Sequence, residues 1–369
     1  MKKKDIVILA NIEWLFLKQR HQNLAENLVD FGYNVIFVES AAKRNPQFAD
    51  IPRIFSRLLK SVKTQTPHSD SAVNVVSPFV LPSTFKINRL FNKLFFVKKL
   101  ASKISSYFKN DECILIIYAP TSTNLQLIDF LKPSKVIYDC VSNFEAFKEM
   151  PADTVQIENQ LIKEANAVVV DCEFLLQKHT ALSKTIKIIE PAVDFKLFNR
   201  FFKPQSRTEL RKLIYYGQVD PLKIDINLLN FLAEKGITIT IVGGVKSTDI
   251  SNLIEILPVV KSDQLPEIIN KFDAIILPYN VNDYTNGIIP AKFYECFATG
   301  LPIVATKMYN FLRYENLLIT GNTYDEILEQ INLFTISSDT EHALERIKIA
   351  QNNSWQKFTE NFSDVIETA

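Results

Sequence analysis

The feature that most constrains this chain is an alternation that runs twice. Short runs rich in Val, Ile and Leu recur at DIVILA (5–10), NVIFVE (34–39), CILIIY (113–118), KVIYD (135–139), AVVVD (167–171) and IKIIE (186–190). Each is apolar on both faces that a strand would present, as strands buried in a parallel sheet are. Stretches with helical spacing separate them, among them 18–31 and 154–165. Parallel strands joined by crossover helices make a doubly wound sheet. The pattern then restarts with LIYYG (213–217), ITIVGG (239–244), DAIILP (273–278) and LPIVAT (301–306), around helices near 225–235, 264–271 and 289–299.

A chain of 369 residues exceeds one ordinary core. The expected architecture is two Rossmann-like, doubly wound α/β domains facing a cleft. The polar, proline-containing stretch FNRFFKPQSRTE (198–209) marks the expected boundary. It divides the chain into 1–205, 206–345 and helices over 346–369 that pack back toward the N-terminal domain. Open parallel sheets bind ligands at the carboxyl ends of their strands, so the site is expected there.

Several classes are excluded by what the chain lacks. The turn after the first strand reads ANIEWLF, with no GxGxxG, and no GxxxxGK[ST] occurs. The four cysteines and four histidines show no zinc-finger spacing, so no metal site is expected. The apolar part of MKKKDIVILANIEW is too short for a signal peptide, and no run reaches the ~18–20 apolar residues of a membrane span. The expected location is the cytoplasm, with peripheral attachment to the inner face of the cell membrane as a further expectation. Residues 43–109 hold 13 Lys/Arg against Asp50 and Asp70, a polarity suited to an anionic partner.

The chemistry concentrates in YNVNDYTNGIIPAKFYECFATGLPIVAT (279–306). Asn286 and Gly287 precede a helix with Pro290 in its first turn, and such a helix start offers free N–H groups and a positive dipole end to a phosphate. Lys292 and Glu295 share one flank of that helix. Glu295 lies where it can accept hydrogen bonds from a ribose diol. An ordinary solvent-facing Lys/Glu pair is the alternative.

The stretch P-A-K-F-Y-E-C-F-A-T-G-L-P-I-V-A-T resembles the nucleotide-sugar signature of GT-B glycosyltransferases, as do YDCVSNFEAF (138–147), IEPAVDFKLF (189–198) and YYGQVDPLKIDINLL (215–229). The sub-pattern is similar to that of bacterial cell-surface polysaccharide transferases of the teichuronic-acid type. The resemblance implies a hexosyltransferase-type enzyme that takes a sugar from a UDP- or GDP-linked donor to a glycan or lipid-linked acceptor. It implies that Glu295 holds the donor ribose, that the amides of Gly287 and Ile288 meet the diphosphate, and that Gly217, Gln218 and Lys223 match a G-R-x4-K element. Gln218 stands where that element has arginine, with Lys292 as a compensating cation. Gly287 stands where many retaining members have a sugar-contacting glutamate, so the resemblance to them supports retention without that contact. An epimerase of the same fold and a non-catalytic sugar-nucleotide-binding protein are the alternatives.

In the N-terminal half, Trp14, Gln19 and Arg20 follow the first strand and are candidates for the acceptor site. Trp14 offers an apolar face to a sugar and Arg20 a cation to an anionic acceptor; a buried Trp14 and a surface Arg20 are the alternative. Asp139 ends the strand KVIYD and is a candidate general base or a helix cap. Glu13 and Glu145 are further candidates. There is no DxD triplet, so no metal or other cofactor is expected on the diphosphate.

The stretch 84–110 carries seven basic residues and no acid. Ile87, Leu90, Phe91, Leu94, Val97, Leu100, Ala101, Ile104 and Phe108 recur in it at helical spacing. A basic amphipathic helix of this kind is expected to lie on an anionic membrane surface, or else to face a core with its lysines solvated. PRIFSRLLKSVK (52–63) repeats the mixture. No nucleic-acid-binding motif is present.

Overall fold

A computed structural model of the chain describes residues 4–40, 72–81, 86–147, 150–183, 185–203, 209–334 and 336–369. It divides into two compact units, one of Met1–Glu190 with Trp355–Ala369 and one of Pro191–Ser354.

The first unit is built on seven parallel strands: β1 (Asp5–Leu9), β2 (Asn34–Val38), β3 (Asn74–Val76), β4 (Cys113–Ile117), β5 (Lys135–Cys140), β6 (Ala167–Val170) and β7 (Ile186–Ile188). Their order in the sheet is β3-β2-β1-β4-β5-β6-β7. β1 pairs with β2 on one side and β4 on the other, with Val7 opposite Ile36 and Leu115. The branched apolar runs explain why: every residue of β1 and β4 is buried, which suits a sheet covered by helices on both faces.

The second unit has five parallel strands: β8 (Lys212–Tyr216), β9 (Thr238–Val242), β10 (Glu255–Leu257), β11 (Ala274–Leu277) and β12 (Ile303–Ala305). They lie in the order β10-β9-β8-β11-β12. The order reverses direction between β8 and β11, and the crevice at the carboxyl ends of those strands is the expected ligand position in such a sheet.

The boundary lies earlier than the polar stretch 198–209 implies. The helix Phe195–Asn199 belongs to the second unit, where Asn199 Nδ2 donates to the Ala298 carbonyl at 2.8 Å. The third segment begins later than residue 346. Arg346, fully buried on the helix Ile336–Asn352, donates to the carbonyls of Leu317 and Gly300, both at 3.1 Å, and so keeps that helix in the second unit. Only Trp355–Ala369 joins the first unit, where Lys135 Nζ donates to the Ile366 carbonyl at 2.8 Å.

The basic stripe also departs from its expected form. Helix Lys86–Phe91 passes through a π-helical turn at Asn92–Phe96 into helix Val97–Ser105. A π turn adds a residue and rotates everything after it by about 100°. Ile87, Leu90, Phe91, Leu94 and Phe95 therefore point outward, whereas Val97, Leu100, Ala101 and Ile104 enter the core. Buried Asn92 pins the turn by bonding both the N–H and the carbonyl of Leu81 at 2.8 Å. The single continuous stripe is thus two faces, one solvent-directed and one core. Residues 52–63 lie outside the described residues. No described helix is long and apolar enough to cross a membrane.

Candidate functional site

Most of the second-unit candidates gather at the carboxyl end of β8. Tyr216, its last residue, points its hydroxyl to Glu295 Oε2 at 3.2 Å. Glu295 sits on the helix Lys292–Thr299, whose Phe293, Cys296 and Phe297 are buried while Glu295 remains half-buried. Desolvation lifts its carboxyl to about 7, against the opposing pull of Lys292 and the Tyr216 hydroxyl. Such a group holds a proton about half the time at neutral pH and gains from any ligand that donates hydrogen bonds to its ionised form.

Lys292 folds back along the same helix flank. Its ammonium bonds the carbonyl of Tyr216 and the hydroxyl of Tyr215, and lies 4.2 Å from the Tyr215 ring centre. It lies 2.5 Å from where a Cβ on Gly217 would stand, a contact the lysine tip can yield, so glycine is required there by its φ of +119°. Gly217 (φ +119°) and Gly243 (φ +150°) bring the ends of β8 and β9 together so closely that a Cβ on Gly243 would lie 2.1 Å from the Gly217 carbonyl oxygen. Only glycine permits this approach. The result is a tight junction of two adjacent strand ends, with Gly243 buried and the N–H groups of Gly217 and Gly243 taken by the carbonyls of Val242 and Leu257 at 2.9 and 3.0 Å.

The loops after β8 and β11 are stapled to each other. Asn280 Nδ2 donates to the Pro221 carbonyl at 2.8 Å and Asn282 Nδ2 to that of Leu222 at 3.1 Å. Lys223 lies in this staple with its ammonium 4.9 Å from the Tyr284 ring centre. Gln218 is exposed and covers Gly244.

Two expectations for the following loop are corrected. The amides of Gly287 and Ile288 are not free: a short helical turn at Asp283–Asn286, capped by the Asn282 side chain, takes them back onto the carbonyls of Tyr284 and Thr285 at 3.2 and 3.3 Å. The helix proper starts at Lys292, later than Pro290 suggests, and Pro290 instead accepts from Phe293 N at 2.8 Å. Gly287 has φ −86°, which any residue adopts, so the backbone does not demand glycine there.

Asn310 was not visible in any motif. It is buried, and its side-chain amide donates to the carbonyls of Asn286 and Ile288 at 2.7 and 3.0 Å, fixing the loop from below. Tyr216 reads in sequence as a strand aromatic; only its hydroxyl contact with Glu295 reveals a polar role.

The first-unit candidates have a different character. Arg20 and Asp139, proposed for the acceptor and for base catalysis, bind each other. Arg20 Nε and Nη2 donate to Asp139 Oδ2 and Oδ1 at 2.9 and 2.8 Å, and Nη1 donates to the Ile189 carbonyl at 2.7 Å. Asp139 is fully buried, and Arg20 lies 4.5 Å from the Phe358 ring centre. A carboxylate with both oxygens on a guanidinium and no exposed surface is a poor proton acceptor for a substrate, and a bidentate Arg has no spare fork for an anion. The pair ties β5 to the helix Arg20–Asp30 and to the chain after β7. Neither expected role fits.

Trp14 is half-buried, with its backbone N–H on Glu39 Oε1 at 2.9 Å and its ring edge-on to Phe37 at 4.9 Å. Gln19 is exposed and its backbone N–H is taken by Gln22 Oε1 at 2.9 Å, the start of the helix Arg20–Asp30. Between them Leu15, Phe16 and Leu17 are exposed, together with Lys18, which pairs with Glu26.

No protein-family model matches the chain, and no curated protein matches its sequence. Solved structures match along its whole length. Sucrose-phosphate synthase from Thermosynechococcus elongatus superposes with a TM-score of 0.68 at 13% identity, covering 99% of this chain and 98% of that one. The fold is GT-B. Anabaena HepE, solved with UDP and glucose, gives a TM-score of 0.68 at 13% identity over 99% of this chain and 100% of its own. WaaG, a glycosyltransferase involved in lipopolysaccharide biosynthesis, gives 0.62 at 11% identity over 99% and 100%. The two parallel sheets of five and seven strands are those of this architecture.

Proposed function

We propose that the chain is a glycosyltransferase that moves a hexosyl-type sugar from a UDP- or GDP-linked donor to a glycan or lipid-linked acceptor in cell-surface polysaccharide synthesis. The observation that carries this reading is Glu295, half-buried and held by Tyr216, on the same helix flank as Lys292 at the carboxyl end of β8. HepE, of the same fold, has been solved with UDP-glucose, which supports a uridine donor. In this reading Glu295 accepts from the ribose hydroxyls, and Lys292 with Lys223 supplies positive charge to the diphosphate. Charge on the leaving nucleotide is met by these cations, so no divalent ion is required and added Mg²⁺ or Mn²⁺ leaves the rate unchanged. Retention is the proposed stereochemistry, without a sugar-contacting carboxylate at position 287.

Incubation with a panel of nucleotide sugars tests the reading. Slow release of free nucleotide from one donor, abolished by Glu295→Ala, supports it. Absence of binding to every donor contradicts it. Conversion to an altered nucleotide sugar would identify an epimerase, and binding without turnover a non-catalytic receptor.

The outward half of the basic segment supports a peripheral membrane position for the acceptor reaction. Ile87 and Phe95 are 63% and 61% exposed, with Leu90, Phe91 and Leu94 between them and the exposed Lys93, Lys98 and Lys99 alongside. Apolar insertion with flanking lysines fits an anionic bilayer, each lysine contributing about 1 kcal/mol near the surface. Flotation with phosphatidylglycerol vesicles is expected to be lost when Lys93, Lys98 and Lys99 become Glu. Undiminished flotation contradicts it.

A further inference from the structure

Behind β5, away from the Arg20–Asp139 pair in chemistry and unused by the proposed transfer, three ligand-type side chains converge. Cys140 ends β5, Glu158 lies on the helix Thr154–Glu164, and His179 ends the helix Glu173–His179. None is more than 1% exposed. Cys140 Sγ lies 3.7 Å from His179 Nε2 and 3.7 Å from Glu158 Oε1, and Nε2 lies 3.8 Å from Oε1. We propose that Cys140, Glu158 and His179 form a structural site for a zinc ion.

The triangle has nearly equal sides, and its size fits the ion. Zinc bonds of about 2.3 Å to sulfur, 2.0–2.1 Å to nitrogen and 2.0–2.2 Å to oxygen place tetrahedral ligand atoms about 3.3–3.7 Å apart. The three atoms need to move inward by only a few tenths of an ångström. A hydrogen-bonded cluster explains the geometry less well. Buried polar atoms ordinarily find close partners, yet His179 Nε2 has only a sulfur at 3.7 Å and an oxygen at 3.8 Å. The N···O separation is too long for a hydrogen bond, and the two contacts to sulfur are weak ones. The one close contact orients the carboxylate from outside, the Tyr138 hydroxyl donating to Glu158 Oε1 at 2.6 Å.

Charge and ligand chemistry agree. A thiolate, a carboxylate and a neutral imidazole balance Zn²⁺ to zero, so the loaded site buries no net charge. The thiol proton, and the carboxyl proton where one is held, leave to solvent as the ion binds; no electron is transferred. A soft thiolate beside an imidazole favours zinc over magnesium or calcium. The ligands come from one strand and two helices, which is why finger-type spacing does not reveal them. The ion would tie those three elements together without touching the donor residues of the second unit.

Metal analysis of the purified full-length protein is expected to find about one zinc per chain, falling about tenfold or more in Cys140→Ser and in His179→Gln. Cobalt added to chelator-stripped wild type is expected to give a near-ultraviolet thiolate-to-metal band that Cys140→Ser lacks, and zinc is expected to raise the wild-type Tm. The wild-type readouts decide the matter even where a variant fails to fold. A wild-type protein that purifies without zinc, shows no cobalt band and gains no Tm on adding zinc overturns the site.

Discussion

The carboxyl ends of β5 and β8 each close a buried strand of a parallel sheet, and they hold opposite kinds of chemistry. At β8 the polar groups stay receptive: Glu295 is half-buried, Gly217 is partly exposed, and the tyrosine hydroxyl beside them divides its contacts between Glu295 at 3.2 Å and Cys296 Sγ at 3.3 Å. At β5 the charges are consumed: Asp139 and Arg20 saturate each other, fully enclosed, under the ring of Phe358. A charged residue at a strand's carboxyl end is therefore not evidence of a site. What separates a site from a clamp is whether a lone pair or backbone surface remains for a ligand.

The largest expected effect breaks the clamp. Asp139→Ala or Arg20→Ala leaves a buried charge without a partner, and chemical denaturation is expected to show a loss of about 3–5 kcal/mol. The double change Arg20→Met with Asp139→Leu is expected to cost less than either single change. If Asp139→Ala keeps its stability and donor binding but loses transfer, Asp139 is the base after all and the contrast fails.

Next in size is the glycine contact at β8. Gly243→Ala sets a Cβ against the Gly217 carbonyl at a φ of +150°, and is expected to cost about 2–3 kcal/mol together with donor binding. Unchanged denaturation would show that the strand ends are free to part.

A smaller effect separates the regions by pH. Asp171, fully enclosed after β6, has its carboxyl lifted to about 7 by desolvation, with Arg20 pulling it down and Asp139 pushing it up. Its folded value exceeds its unfolded one, so its favourable contribution is complete below about pH 4 and fades as pH rises through 7. Asp171→Asn is therefore expected to gain about 1–3 kcal/mol on wild type between pH 5 and pH 8. Parallel denaturation curves at the two pH values would contradict this.

Much of the fold is legible because buried parallel strands carry an unmistakable composition: β1, β2, β4–β9, β11 and β12 all fall on Val/Ile/Leu runs. β3 and β10 carry no such run. Each is a three-residue edge strand, and Glu255 and Ile256 of β10 are exposed, so no buried run announces it. The basic segment misled for another reason. Periodicity at 3.6 residues joins Ile87 to Ile104 into one stripe, and only the π turn at Asn92–Phe96 turns its halves apart. Polarity points to a boundary at 198–209, whereas Asn199 and Arg346 decide it by bonding within the second unit.

The site was partly legible on the same grounds. Glu295 and Lys292 stand in a contiguous motif, so sequence order carried their proximity. Arg20 and Asp139 stand far apart in the chain, and no spacing rule pairs them. Asn310 escaped for the same reason, since it acts on Asn286 and Ile288 through their backbone carbonyls, which leave no trace in residue identity.

The most direct test of the account is a titration of UDP-glucose into wild type and Glu295→Gln at pH 6, 7 and 8. Hydrogen bonds to an ionised carboxylate exceed those to a neutral one by about 1–1.5 kcal/mol. Wild type is therefore expected to bind about tenfold more weakly at pH 6 than at pH 8, as a carboxyl near 7 takes up its proton. Glu295→Gln is expected to bind about ten- to a hundredfold more weakly at pH 8 and to show no dependence on pH. Equal affinities and the same pH profile in both proteins would contradict a donor site built on Glu295.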